Sequence, residues 1–130
     1  MNRVLFPFPL LALTTLVAQG PAPTTPQPAV APVVAAAPRP VTYIHMPVPV
    51  SRDDDAFHEP FRDLKLGATE LYLGLVHAKD GVEGARRRIS VAAKYAPQFG
   101  VSTECGMARA RSAETVRTLL NIHAALCDDQ

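Results

Sequence analysis

An α/β fold built on a parallel sheet is predicted for residues 41–127, on three observations. Charged residues and prolines are unevenly spread: Arg3 and Arg39 are the only formal charges before Arg52, whereas eleven of the 13 prolines precede Ser51. Short apolar runs then alternate with stretches of helical periodicity, the pattern of strands joined by helical crossovers. Each apolar run ends in side chains able to bind a metal or move a proton, and ligand chemistry in parallel α/β folds sits at the carboxyl ends of strands.

The chain begins Met1-Asn2-Arg3 and continues with an apolar run, Val4 to Ala18. That is the shape of a secretory signal and is short for a membrane span. Pro7 and Pro9 interrupt the run, and a cut after Gly20 would place Pro21 beside the scissile bond. Residues 1–20 are therefore read as a signal-like apolar segment, with coding sequence unrelated to the rest of the chain as the alternative. Pro21 to Pro40 holds seven prolines among Ala, Val, Thr and Gln. Proline removes amide donors and disfavours helix in the residue before it, so residues 21–40 are expected to form a disordered, extended linker. Pro23-Thr24-Thr25-Pro26 has the Pro-x-x-Pro spacing but lacks a flanking base.

Val41-Thr42-Tyr43-Ile44 is β-branched and aromatic and is expected to be a short buried strand that Pro47 ends. Ser51 to Asp63 is a polar loop carrying Asp53-Asp54-Asp55, with a helical turn expected around Ala56–Leu64. Asp53–Asp55 could bind a cation or cap that turn, and His58 is expected at the surface. Leu71 to Val76 is continuously apolar, as in a parallel strand covered on both faces. Asp80 followed by Glu83 predicts a capping box, and Val82, Ala85, Ile89, Ala92, Ala93 and Ala96 recur at helical spacing until Pro97. Phe99 to Thr103 is the third strand. Ser112 is positioned to cap a last helix, whose buried face is expected to hold Val116, Leu119, Leu120, His123 and Cys127.

A net charge of +1 excludes nucleic acid as a main partner, because neutralising phosphates takes a basic stripe. The one basic run, Arg86–Arg88, reads as a solvated helix face. Cys105 and Cys127 fall in different elements, so free thiols, or one ligand and one bystander, are expected rather than a disulfide. The polar residues that follow the strands are His45, then His77 with Lys79 and Asp80, then Glu104 and Cys105.

Three segments also carry a family resemblance. They are Arg39 to Pro49 (RPVTYIHMPVP), Glu70 to His77 with Asp80-Gly81-Val82-Glu83-Gly84 and Arg87-Arg88-Ile89, and Thr103-Glu104-Cys105-Gly106-Met107. In this order and spacing they resemble the C-terminal end of barrels in the cobalamin-independent methionine synthase and uroporphyrinogen decarboxylase-like superfamily. The resemblance implies a partial (β/α)8 (TIM) barrel, its last three strand–helix units, in residues 41–127. It also implies a parent chemistry of zinc-assisted methyl transfer to a thiol, in which zinc lowers the thiol pKa. By the same resemblance Cys105 and His45 are the candidate zinc ligands, and His77, Asp53, Asp54 and Glu104 the candidate substrate-binding residues. A small-molecule thiol or a folate would be the ligand of the parent family.

Three departures accompany the resemblance, the first being that the family's first five strands have no counterpart in this sequence. The family's upstream His-x-Cys ligand pair has no counterpart in this sequence, and Ala108 stands where the turn after Cys105 resembles one with Gly. The expectation is therefore a truncated barrel protein without independent catalysis. The alternative is an exported small binding protein with a signal, a Pro-rich spacer and a repurposed α/β fragment. The first places the chain in the cytoplasm and the second outside it. Three barrel strands leave open edges, so self-association, a complementing chain, or an aggregation-prone unit is expected.

Overall fold

The computed structural model describes residues 30–96 and 98–128. The readings made for residues 1–29 and for Pro97 lie outside these residues.

Eight elements follow one another among the described residues. They are helix α1 (Val30–Ala36), strand β1 (Tyr43–Pro47), the one-turn helix α2 (Asp55–His58) running into a 3-10 helix (Glu59–Asp63), strand β2 (Glu70–Val76), helix α3 (Gly81–Ala92), strand β3 (Gly100–Thr103) and helix α4 (Ala113–Cys127). The strands form one parallel sheet in the order β1-β2-β3. His45 lies opposite Tyr72 and Pro47 opposite Gly74, while Tyr72 lies opposite Gly100 and Gly74 opposite Ser102. An irregularity between Gly74 and Val76 shifts the register at the carboxyl end of β2. Among the described residues no helix is long and apolar enough to cross a membrane.

Alternation along the strands gives the sheet two unlike faces. Met46, Val48, Leu71, Leu73 and Leu75 point to one side and pack with Phe57, Phe61, Ala92 and Ala96. A second cluster joins Val76 and Ala85 to Leu119, Ile122 and Leu126 of α4. Fully burying a leucine or valine side chain contributes roughly 1.5–3 kcal/mol, so this side supplies most of the cohesion. The other side carries Tyr43, His45, Tyr72 and Ser102. Tyr43 is 60% exposed there, and only Tyr43 and Tyr72 make a ring contact, edge to face at 5.7 Å.

β2 is covered on both faces over Leu73–Val76, as expected, and only Tyr72 is partly exposed on the bare side. Several other expectations are corrected. β1 starts later than expected and is mostly exposed, with Met46 its one buried residue. The apolar sides of the strands are covered by α2, the 3-10 helix, α3 and α4. Residues 30–36 are helical rather than extended. Pro32 sits in the first turn, where an amide would have no intrahelical acceptor, so the ring is tolerated.

The capping box does not form. Asp80 is at the N-cap of α3 but makes no side-chain cap bond, and Glu83 pairs with Arg86 at 2.9 Å. Asp80 instead turns to Arg88. Arg88 is fully buried and not part of a solvated face. His58, expected at the surface, is also fully buried. On α4 the buried residues are Leu119, Ile122 and Leu126, while Leu120 and Cys127 are exposed. Ser112 caps α4 as expected, accepting from the Thr115 amide at 3.1 Å.

Candidate functional site

The bare face and the turn after β3 meet in an open cleft of about 410 Å3, lined by Tyr43, His45, Tyr72, Ser102, Thr103, Cys105, Gly106 and Met107. His45 and Cys105 therefore share one cleft. They arrive by different routes. His45 is the third residue of β1 and points to the bare side by alternation. Cys105 lies in the turn after β3, whose path is held by the Thr103 hydroxyl donating to the Cys105 carbonyl at 2.7 Å.

His45 lies diagonally over Gly74. A Cβ at position 74 would stand 3.1 Å from the His45 Nε2, 2.8 Å from the Thr103 carbonyl oxygen and 2.7 Å from the Glu104 Cα. Only glycine leaves room for that approach. His45 Nε2 is 2.9 Å from the Thr103 carbonyl oxygen. A carbonyl can only accept, so Nε2 carries the proton and Nδ1 offers a lone pair. This is the arrangement in which a histidine ligates through one nitrogen while a backbone carbonyl fixes the other. Cys105 is exposed and makes no disulfide.

A second group lies beside the cleft. His77 is buried, and its Nε2 donates to the Val48 carbonyl at 2.8 Å. Its Nδ1 faces Glu104 Oε2 at 3.8 Å. The other Glu104 oxygen is held by Arg111 at the approach to α4. Glu104 Oε2 is buried with no hydrogen-bond partner among the described residues. One imidazole thus joins the end of β2 to the loop after β1, one guanidinium joins the start of α4 to the end of β3, and the two groups face each other across 3.8 Å.

Asp53 and Asp54, also expected to bind substrate, lie elsewhere. Asp53 pairs with Arg87 at 3.3 Å. Asp54 is the N-cap of α2, accepting from the Phe57 amide at 3.1 Å, and pairs with Arg52 at 2.8 Å. Burial pushes the Asp54 carboxyl up, but Arg52 and the Phe57 amide more than reverse this, leaving its pKa below the ordinary value. Asp55 pairs with Lys94 at 3.1 Å, and that bond holds its carboxyl below the usual range. The acidic cluster is thereby spent on capping and ion pairs.

Among the described residues no group of three or more His, Cys, Asp and Glu side chains comes together to hold a metal ion. Structural zinc takes four protein ligands and catalytic zinc three with an open position. Among the described residues His45 and Cys105 supply two donors of suitable chemistry, fewer than either kind of zinc centre takes.

Sequence reasoning missed Arg88, Arg111 and Gly74. For Arg88 a signal was available: it falls three residues after Ala85 and four before Ala92, on the apolar stripe of α3. For Gly74 the signal was a glycine within an apolar run, which often marks a close backbone approach. A larger groove of about 890 Å3, lined in part by Phe61, Leu64, Leu66 and Phe99, opens at the amino ends of the strands. Comparison with protein-family models, curated proteins and solved structures found no match to this chain.

Proposed function

We propose that residues 41–127 are the last three strand–helix steps of a (β/α)8 barrel of the methionine synthase-like superfamily. In this reading the bare sheet face is one wall of the barrel interior, and the chain has no catalysis of its own. The observation that supports it is the one-sided sheet: three parallel strands in consecutive order, helices on one face, and on the other Cys105 just past β3 with the His45 side chain reaching the Thr103 carbonyl from mid-β1. A barrel stave has that construction, with helices outside and chemistry at the carboxyl ends. The parent chemistry would be zinc-assisted methyl transfer to a thiol. Here His45 Nδ1 and Cys105 Sγ would be two of the donors, and since the described residues offer no complete set, no zinc-dependent step is assigned to this chain.

The test is a cobalt(II) titration of the full chain, followed by zinc content and circular dichroism with and without chelator. The expected result is weak binding with a thiolate-to-metal absorption band. That band disappears in Cys105→Ala, weakens in His45→Ala and survives Cys127→Ala. Chelator leaves the circular dichroism unchanged, and no methyl transfer to thiols is detected. Zinc-dependent methyl transfer to a thiol would overturn the non-catalytic reading. Binding indifferent to both Cys105 and His45 would overturn the assignment of the cleft.

A further inference from the structure

His58 is a fully buried imidazole that the cleft does not use. It sits at the junction of α2 and the 3-10 helix, edge to face with Phe57 at 5.2 Å and with Phe61 at 5.7 Å between ring centroids. Its Nδ1 lies 3.0 Å from the Asp54 carbonyl oxygen. That oxygen only accepts, so the neutral ring carries its proton on Nδ1 and a lone pair on Nε2. Nε2 is buried and has no hydrogen-bond partner among the described residues. A proton taken up at Nε2 would thus create a charge in an apolar setting with no acceptor in reach, which is strongly unfavourable.

The surrounding charges do not offset this. Asp54 and Asp55 favour the charged ring and Arg52 opposes it. Asp54 is already paired with Arg52. From the turn after α3, Lys94 occupies Asp55, and from α3 itself Arg87 occupies Asp53. From the 3-10 helix, Arg62 is drawn over the Tyr95 ring, 4.7 Å from its centroid. Burial is the largest influence on the imidazole and holds its pKa below the ordinary 6.5.

Phe57 and Phe61 flank His58 in sequence and belong to the apolar cluster with Met46, Val48, Leu71 and Leu73. The segment carrying them is therefore a lid on the helix-covered face of the sheet. We propose that residues 54–63 form an acid-released latch, held on the sheet while His58 is neutral and freed when Nε2 takes a proton, uncovering Met46 and Val48. The sign follows from linkage. A histidine whose pKa is lower folded than unfolded leaves the closed state fully stable above about 6.5 and destabilises it increasingly as pH falls below that value.

Hydrogen exchange of the full chain, corrected for the intrinsic pH dependence, tests the latch between pH 7.5 and 5. Amides of 54–64 should lose protection by up to roughly tenfold per pH unit below about 6.5, while those of β2 hold theirs. His58→Phe, which keeps an aromatic ring, and His58→Asn, which keeps a donor toward the Asp54 carbonyl, should both flatten the dependence. His123→Asn removes another imidazole with an unpartnered buried Nε2 and should leave the local opening of 54–64 as in the wild type. Loss of protection spread evenly over β2 and 54–64, or an unchanged dependence in either His58 variant, overturns the proposal. Should neither variant fold, the wild-type His58 ring resonance decides: a titration midpoint at or above the ordinary value overturns the latch, and one well below it supports it.

Discussion

Arg88 holds both carboxylate oxygens of Asp80, through Nη1 at 2.6 Å and Nη2 at 2.9 Å, from a fully buried position eight residues along the chain. The same guanidinium donates through Nε to the Leu75 carbonyl at 2.9 Å and through Nη1 to the Val50 carbonyl at 2.9 Å. One side chain thus joins the end of β2, the loop after β1 and the first turn of α3. The arginine is affordable inside because its donors are matched by a fixed carboxylate and two carbonyls.

Breaking this pair from either side should be severe. Arg88→Ala leaves Asp80 and two carbonyls without their donor, and Asp80→Ala leaves a buried cation. Each should destabilise the chain by about 3–5 kcal/mol in urea unfolding, a large share of the ~5–15 kcal/mol of an ordinary domain. The double variant Asp80→Ala with Arg88→Met should lose clearly less than the sum. Additive losses would show that the two residues act separately.

Two glycines should resist even alanine. A Cβ on Gly84 would run into the Asp80 carboxylate and displace it from Arg88, and one on Gly74 would meet the Glu104 backbone. Gly84→Ala and Gly74→Ala should each destabilise by about 1–3 kcal/mol despite alanine's better helix and strand entropy. Thermal melts decide this. Gly74→Ala should also loosen the His45 contact with Thr103, visible as a changed His45 ring resonance.

The Asp80 carboxyl is held below its ordinary value of 3.8, first by the bond to Arg88 and against the opposing effect of burial. A carboxyl depressed on folding contributes stability that is complete above its unfolded value and disappears as pH falls through the folded one. Urea midpoints should therefore fall steeply below pH ~3.8. Asp54 and Asp55 are also depressed and add to this fall. The Asp80→Ala and Arg88→Met pair should make the slope shallower.

Both cysteines should be open to reagent in the folded chain, since Cys105 and Cys127 are free and exposed. A chromogenic disulfide should titrate two thiols without denaturant, falling to one in Cys105→Ala or Cys127→Ala. Protection of Cys105 alone would reveal that something covers the cleft.

Much of the framework was legible in the sequence. Val41–Ile44, Leu71–Val76 and Phe99–Thr103 announced three strands by β-branched and apolar content, and Ser112 announced the start of α4 by its cap. What escaped depended on contacts between distant residues. Arg88 reads as one of three consecutive solvated bases until Leu75, Val50 and Asp80 are seen to converge on it. Asp80 and Glu83 satisfy a capping box on paper, yet a fully buried guanidinium outcompetes the orphan amides for the carboxylate. His58 reads as a loop residue because its burial comes from Phe57 and Phe61 folding back with it. The bare side of the sheet was hidden because the run Leu71 to Val76 is broken only by Tyr72 and Gly74, and neither looks polar. Of the candidate residues, His77, Glu104 and Cys105 follow strands as read, His45 lies inside β1 rather than after it, and Asp53 and Asp54 are committed to Arg87 and Arg52.

The two unlike faces of the sheet divide the burden of selection. Substitutions at Tyr43, His45, Tyr72 or Ser102 remove little from the packed side, so that surface is free to change its chemistry without unfolding the chain. Leu73, Leu75 or Phe61 have no such freedom. The bare face is in this sense an evolvable surface laid over a conserved-by-physics foundation, with Gly74 and Gly100 as the places where the two meet: each gives way beneath a ring above it, His45 in one case and Tyr72 in the other.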